Sequence, residues 1–186
     1  MRGINTREYD KVFGNQLCGK ARLMKVPYTN FRISLNDEWS ERDTVDIFDN
    51  KKVVVFAVPG AFTPLSGSQQ LVGYEKNYEA LKKLGVDEVY CLSVNDTFVM
   101  NAWLKEWNIV NVKPIGDGEG VFTQGMGMLV NKPKQGFGMR SWRYAMLVDN
   151  GEVVKVFEEP GKNNASDDND PFKVSDATTM KNFLEK

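Results

Sequence analysis

The sequence predicts an α/β fold, a mixed central sheet flanked by helices, and three observations carry that prediction. Val53–Val58 is an uninterrupted apolar, β-branched run of the kind seen in strands buried on both faces, and Val86–Val94 reads as a second buried strand. Each is followed by a helical pattern, as parallel strands joined by helical crossovers require. Near the C-terminus, Asp149-Asn150-Gly151 separates two extended segments and marks a tight hairpin, which adds an antiparallel edge.

Taken in order, residues 1–25 have mixed polarity and weak periodicity and read as an N-terminal arm, with one folded domain over 26–186. Phe31 to Leu35 alternates like a half-exposed strand, and Asn36-Asp37 suggests a turn. Asp43 to Phe48 fits either a short edge strand or one helical turn, and Asp49-Asn50 turns the chain into the first buried strand. Pro59 ends that strand because it lacks a donor for the ladder, and Gly60 and Pro64 shape a turn. Leu71, Tyr74, Tyr78 and Leu81 then recur at helical spacing, with Gly85 at the helix end. Asn95-Asp96 caps a helix over Thr97 to Trp107. Pro114-Ile115 starts a short extended piece. The glycine-dense stretch from Gly116 to Gly127, and Gly136-Phe137-Gly138, read as loops without the spacing of a phosphate-binding fingerprint. Ser141 to Val148 and Glu152 to Glu158 form the hairpin strands. Pro160 to Asp170 reads as a solvated acidic loop. Ser175 or Asp176 caps a last helix through Leu184.

Composition narrows the function. The chain has 186 residues, a formal net charge of -1 and ordinary apolar content, with no electrostatic pull toward nucleic acid and no apolar run long enough to span a bilayer. The first residues lack a continuous apolar core, so the expectation is no secretory signal and a cytoplasmic protein. Two cysteines, Cys18 and Cys91, form no CxxC pair, and there is no histidine at all. Ser-His-Asp and Cys-His catalysis and histidine metal sites are therefore excluded within the chain. Asp167, Asp168 and Asp170 lack the glycine and final glutamate of a calcium loop, so no metal site is expected. A serine hydrolase using Ser66 fails on the absent base and the absent nucleophile-elbow glycines.

The junction after the first buried strand is the place for chemistry. Thr63 and Ser66 sit where that strand hands over to a helix N-terminus, with unpaired N–H groups and the positive end of a dipole. The same segment, PGAFTP (Pro59 to Pro64), resembles the active-site loop of peroxiredoxins of the peroxiredoxin-5 type, whose pattern is Pro-x-x-x-Thr-x-x-Cys. Pro59 and Thr63 match, and Ser66 stands at the cysteine position. SVNDTFVMNAW (Ser93 to Trp103), GEGVFTQGMGMLV (Gly118 to Val130), GFGMRSWRYAMLVDNG (Gly136 to Gly151) and DPFKVSDATTM (Asp170 to Met180) are also similar to the family. The last is most similar to the peroxiredoxin part of bacterial peroxiredoxin–glutaredoxin hybrids.

The resemblance implies a thioredoxin-like fold and a thiol-dependent peroxidase for hydrogen peroxide or alkyl hydroperoxides, with no cofactor. By motif, the catalytic positions fall on Ser66, Thr63 and Arg143, and the substrate-binding ones on Pro59, Gly60, Phe62 and Gly67. Neither cysteine matches a resolving position, so the implied scheme is the one-cysteine kind, with external glutathione or glutaredoxin as reductant. A homodimer through the active-site-loop face is implied as well, with Phe62 as a contact. Cys91 reads as a small core residue.

The departures gather at the nucleophile: Ser66 for cysteine, Leu65 and Gly67 beside it, and Gln70 at a usual histidine site. A hydroxyl is far less acidic than a thiol of pKa ~8.5, and a helix end worth ~0.3–1 kcal/mol plus one arginine shifts a pKa by about one or two units. The serine form is therefore expected to be inactive or severely impaired. Ser66 fits either an engineered Cys→Ser change or a natural homologue acting as a binding or sensor protein. The altered neighbours favour natural divergence.

Overall fold

The structure is a computed structural model that describes residues 24–35, 38–164 and 170–186. The expected arm lies outside the described residues except for its last two members. Met24 accepts a backbone bond from Val153, and Lys25 bridges to Glu152.

The first elements are strands β1 (Asn30–Leu35) and β2 (Glu38–Asp43), paired antiparallel, then the short helix α1 (Thr44–Phe48). Of the two readings of 43–48, the helical turn is the one found. Asp43 caps it with a reciprocal capping box to Asp46. Strand β3 (Lys52–Ala57) follows, buried along almost its whole length. Pro64 stands at the first helical position, where its missing N–H costs nothing. A π-helical turn (Ser66–Leu71) leads into α2 (Val72–Lys83). Then come β4 (Glu88–Ser93), α3 (Thr97–Glu106) and β5 (Lys113–Gly116).

The stretch expected to be a glycine-dense loop contains a helical turn, α4 (Val121–Gly125). Gly120 enters it in the left-handed region at φ 69, and the Asp117 carboxylate accepts the Phe122 and Thr123 N–H groups from outside the helix. Glycine at the N-cap offers no side chain to cap the turn, so nothing at that position marks a helix start in the sequence. The small hairpin of β6 (Leu129–Lys132) and β7 (Gly138–Ser141) was likewise unexpected. The chain completes with β8 (Tyr144–Asp149), β9 (Glu152–Glu158) and α5 (Ala177–Leu184), capped by Asp176.

The main sheet has the order β5-β4-β3-β8-β9, with β3, β4 and β5 parallel and β8 and β9 antiparallel, the mixed sheet that the sequence predicts. Period-2 alternation sends Val53, Val55 and Ala57 to one face and Val54, Phe56 and Val58 to the other. The first face packs against Phe31, Phe48, Phe122 and Trp142. The second packs against Leu71, Tyr74, Met100, Trp103 and Met180 from α2, α3 and α5 and the turn before α2. Phe56 stacks on Tyr74 with ring centroids 4.1 Å apart. Cys91 lies wholly inside this second layer, and burial pushes its thiol up so that it stays protonated.

Candidate active site

Strand register builds the site. Ala57 pairs with Tyr144 at the end of the β3–β8 ladder, so Arg143 stands opposite Val58, where β3 gives way to Pro59. The expected strand over 141–148 is broken at Trp142 and Arg143, between β7 and β8. Alternation puts Trp142, Tyr144 and Met146 in the first layer and Ala145 and Leu147 in the second. Arg143 thereby belongs to the side on which α2 packs, and its side chain meets the turn that precedes that helix.

Three of the residues singled out by motif come together there. The Thr63 and Ser66 hydroxyls are 2.7 Å apart, the Thr63 hydroxyl lies 2.9 Å from the Gly60 carbonyl, and Arg143 Nη2 reaches Ser66 Oγ at 3.4 Å. Each hydroxyl has one proton, and the Gly60 carbonyl can only accept. Thr63 therefore donates to Gly60, Ser66 donates to Thr63, and Arg143 donates to Ser66, which satisfies every partner at once. Ser66 and Arg143 are fully buried, and Pro59 and Gly60 are buried behind them.

The other two stand apart. Phe62, at φ 61, holds a left-handed conformation that is costly for a bulky residue. It turns its ring outward, 56% exposed, with Trp103 6.5 Å away. Gly67 is covered by Trp107: a Cβ there would lie 2.8 Å from the indole. Phe62, Thr63, Pro64, Glu106 and Trp107 line an open recess of ≈ 360 Å³ over this turn.

Four further side chains support the site, and of these the sequence marks only Gln70 as a position of interest. Asp170, read as part of a solvated acidic loop, instead accepts from Arg143 Nε at 3.1 Å and from Nη2 at 2.7 Å on both oxygens. Asp167 and Asp168 of the same loop lie outside the described residues, as does Cys18. Gln70 accepts from Arg143 Nη1 at 2.5 Å and donates to the Ser175 carbonyl. The buried Glu159 carboxylate collects the N–H groups of Lys173, Val174 and Ser175 and the Ser175 hydroxyl, which anchors the segment running on from Asp170. Behind the loop, Asn95 Oδ1 accepts from the Ala61 N–H and the Ser93 hydroxyl. The only sequence signal for Asp170 was its place at the head of DPFKVSDATTM. Among the described residues no group of side chains could hold a metal ion, and no helix is long and apolar enough to cross a membrane.

The chain is similar to known proteins in sequence and in fold. A hybrid peroxiredoxin, hyPrx5, of Haemophilus influenzae is 52% identical over 86% of the chain, which spans 64% of that protein's length. Reduced Prx3 of Vibrio vulnificus, solved in complex with H2O2, superposes with TM-score 0.79 at 36% identity, covering 89% of this chain and 99% of that one. The antioxidant protein of Plasmodium falciparum, a 1-Cys peroxiredoxin, gives 0.83 at 34% identity over the same shares. The Redoxin family description matches residues 24–179, so the chain belongs to the Redoxin family, and its homologues there are peroxiredoxins, thiol peroxidases of thioredoxin-like fold.

Proposed function

We propose that this chain is the scaffold of a one-cysteine peroxidase for hydrogen peroxide or alkyl hydroperoxides, with Ser66 at the nucleophile position, and that the serine form is inactive or severely impaired. The observation that carries the reading is the convergence of half-buried Thr63 with fully buried Ser66 and Arg143 in one cluster at a helix start.

With cysteine at 66, a thiolate would attack the distal peroxide oxygen. The S–O bond forms as the O–O bond breaks, sulfur is oxidised to the sulfenic acid, and the departing oxygen takes a proton to leave as water or alcohol. A thiolate has no proton to give Thr63, so the threonine is free to turn its own proton from the Gly60 carbonyl toward sulfur or peroxide. Arg143 supports the anion, and Pro59 and Gly60 keep water from it. An external thiol then condenses with the sulfenic acid to a mixed disulfide, releasing water, and a second thiol frees the cysteine. Glutathione or glutaredoxin fits this role, because the described cysteine, Cys91, is buried in the core. Serine can do none of this, since oxygen has no equivalent of the sulfenic acid. Introducing Ser66→Cys and following peroxide consumption with glutathione and glutaredoxin is the test. No gain over the serine form would defeat the reading.

A second reading, a natural redox-inactive homologue that binds or senses, is favoured by one feature: Asp170 and Gln70 already satisfy most of the Arg143 donors, so the serine site is charge-balanced as it stands. A cysteine codon at position 66 in the gene would remove its motive. A cytoplasmic homodimer belongs to either reading. Exposed Trp39, Phe62 and Phe98 support the dimer, with Trp39 and Phe98 in edge contact at 5.0 Å. Light scattering is expected to show a dimer at micromolar concentration, and a monomer after Phe62→Glu.

A further inference from the structure

We propose that Asp170 is a positioning residue for position 66: it aims the Arg143 guanidinium at that position and holds back part of its charge from any anion formed there. The inference rests on the reading of position 66 as the redox position.

The geometry separates two jobs within one ion pair. The Arg143 side chain is 1% exposed, whereas that of Asp170 is 43% exposed. A buried cation needs a partner, and a guanidinium offers a planar fork of donors that a carboxylate can fix in direction. Here Nε and Nη2 are held by Asp170 and Nη1 by Gln70, which leaves Nη2 directed at Ser66 Oγ as well. The Phe172 ring lies along the guanidinium, 5.8 Å from its carbon, and limits its swing.

Other charged and titratable groups on this side are already committed. Glu159 is saturated by the N–H groups of 173–175, Asp176 caps α5, and burial keeps the Cys91 and Tyr74 side chains protonated. Asp170 is thus the anion paired with Arg143 among the described residues. With a neutral serine the pair cancels. With a thiolate at 66, two anions share one cation, and the half-exposed carboxylate is the one that water can support.

The test compares Ser66→Cys with Ser66→Cys/Asp170→Asn in the full chain. Thiolate absorbance at 240 nm is followed against pH, with the serine parent as the blank for Cys18 and Cys91. Asparagine keeps an acceptor for Nη2 but removes the charge, so its thiol midpoint is expected about one pH unit lower. Asp170→Ser, a smaller uncharged acceptor, is expected to shift it the same way and serves if the asparagine variant folds poorly. A midpoint unchanged or raised in the folded variant overturns the proposal, because an aspartate that only covers a buried arginine would alter melting without this shift. A Ser66→Cys protein without peroxide turnover defeats the proposed activity instead, and leaves the midpoint comparison intact.

Discussion

Gly67→Ala tests how the turn over the site is packed, because two effects of opposite sign meet there. Gly67 lies in the helical start of Ser66–Leu71, where alanine is favoured over glycine by about 0.5–1 kcal/mol. Against that, its Cβ would stand 2.8 Å from Trp107 Cε2 and 2.9 Å from both Cζ2 and Nε1, closer than real contacts allow. Trp107 is 39% exposed, so the indole can swing away, and the cost is its lost packing. Burying about 100–150 Å² of the indole at ~25 cal/mol per Å² contributes at most about 2.5–4 kcal/mol, of which a swing forfeits a part. The expected net change is a loss of about 1–2 kcal/mol. In a Trp107→Ala background nothing meets the new methyl, and the same substitution is expected to stabilise by about 0.5 kcal/mol. Urea unfolding followed by far-UV circular dichroism reads all four proteins without relying on tryptophan fluorescence. A Gly67→Ala effect of the same sign in both backgrounds would refute the packing argument.

Two further substitutions address the frame of the site. Glu75 ties α2 to the loop before β5: burial opposes its charge, but bonds from the Val110, Asn111 and Val112 N–H groups and the Asn111 amide outweigh it and hold the carboxyl below its usual range. A carboxyl lowered in the folded state stabilises above its unfolded value near 4.3 and loses that contribution as pH falls through the folded one. Glu75→Gln is therefore expected to cost about 1–2 kcal/mol at pH 7 and to flatten the fall in stability below about pH 4.5, measured by urea titration across pH. A parallel acid limb in both proteins would contradict the assignment. Arg143→Met in the serine form is expected to cost about 2 kcal/mol by urea unfolding, since it orphans the buried Gln70 carbonyl while half-exposed Asp170 returns to water. A loss of 4 kcal/mol or more would mean that Asp170 is not rehydrated.

Much of this was legible because the signals were periodic or local. The run from Val53 to Val58 is apolar at every position because both faces of β3 are covered, and Asp149-Asn150-Gly151 fixes its own turn, with Asn150 at φ 48 and Gly151 at φ 75. Most of what escaped lies where structure comes from partners distant in sequence. Asp170 meets Arg143 27 positions away, beyond the whole β8–β9 hairpin, and Glu159 anchors the Lys173–Ser175 segment from 14 to 16 positions off. Helix α4 escaped for a local reason, since its cap is Asp117, set back from the N-cap position where a sequence signal is sought. Gly67 shows a third kind of blindness: the residue is uninformative alone, and its meaning is the shape of Trp107 40 positions away.

Arg143 joins the two kinds of signal. Its face follows from strict alternation in SWRYAM, and its height from the pairing of Ala57 with Tyr144. A slip of one residue in that ladder would send the guanidinium into the layer of Phe122 and Trp142 and leave the start of α2 without a cation. The strand pairing therefore sets the chemistry at position 66 more firmly than the residue now occupying it. Whatever side chain stands at position 66, the register keeps Arg143 against the turn before α2, where it meets Gln70 and the residue-66 side chain beside Thr63.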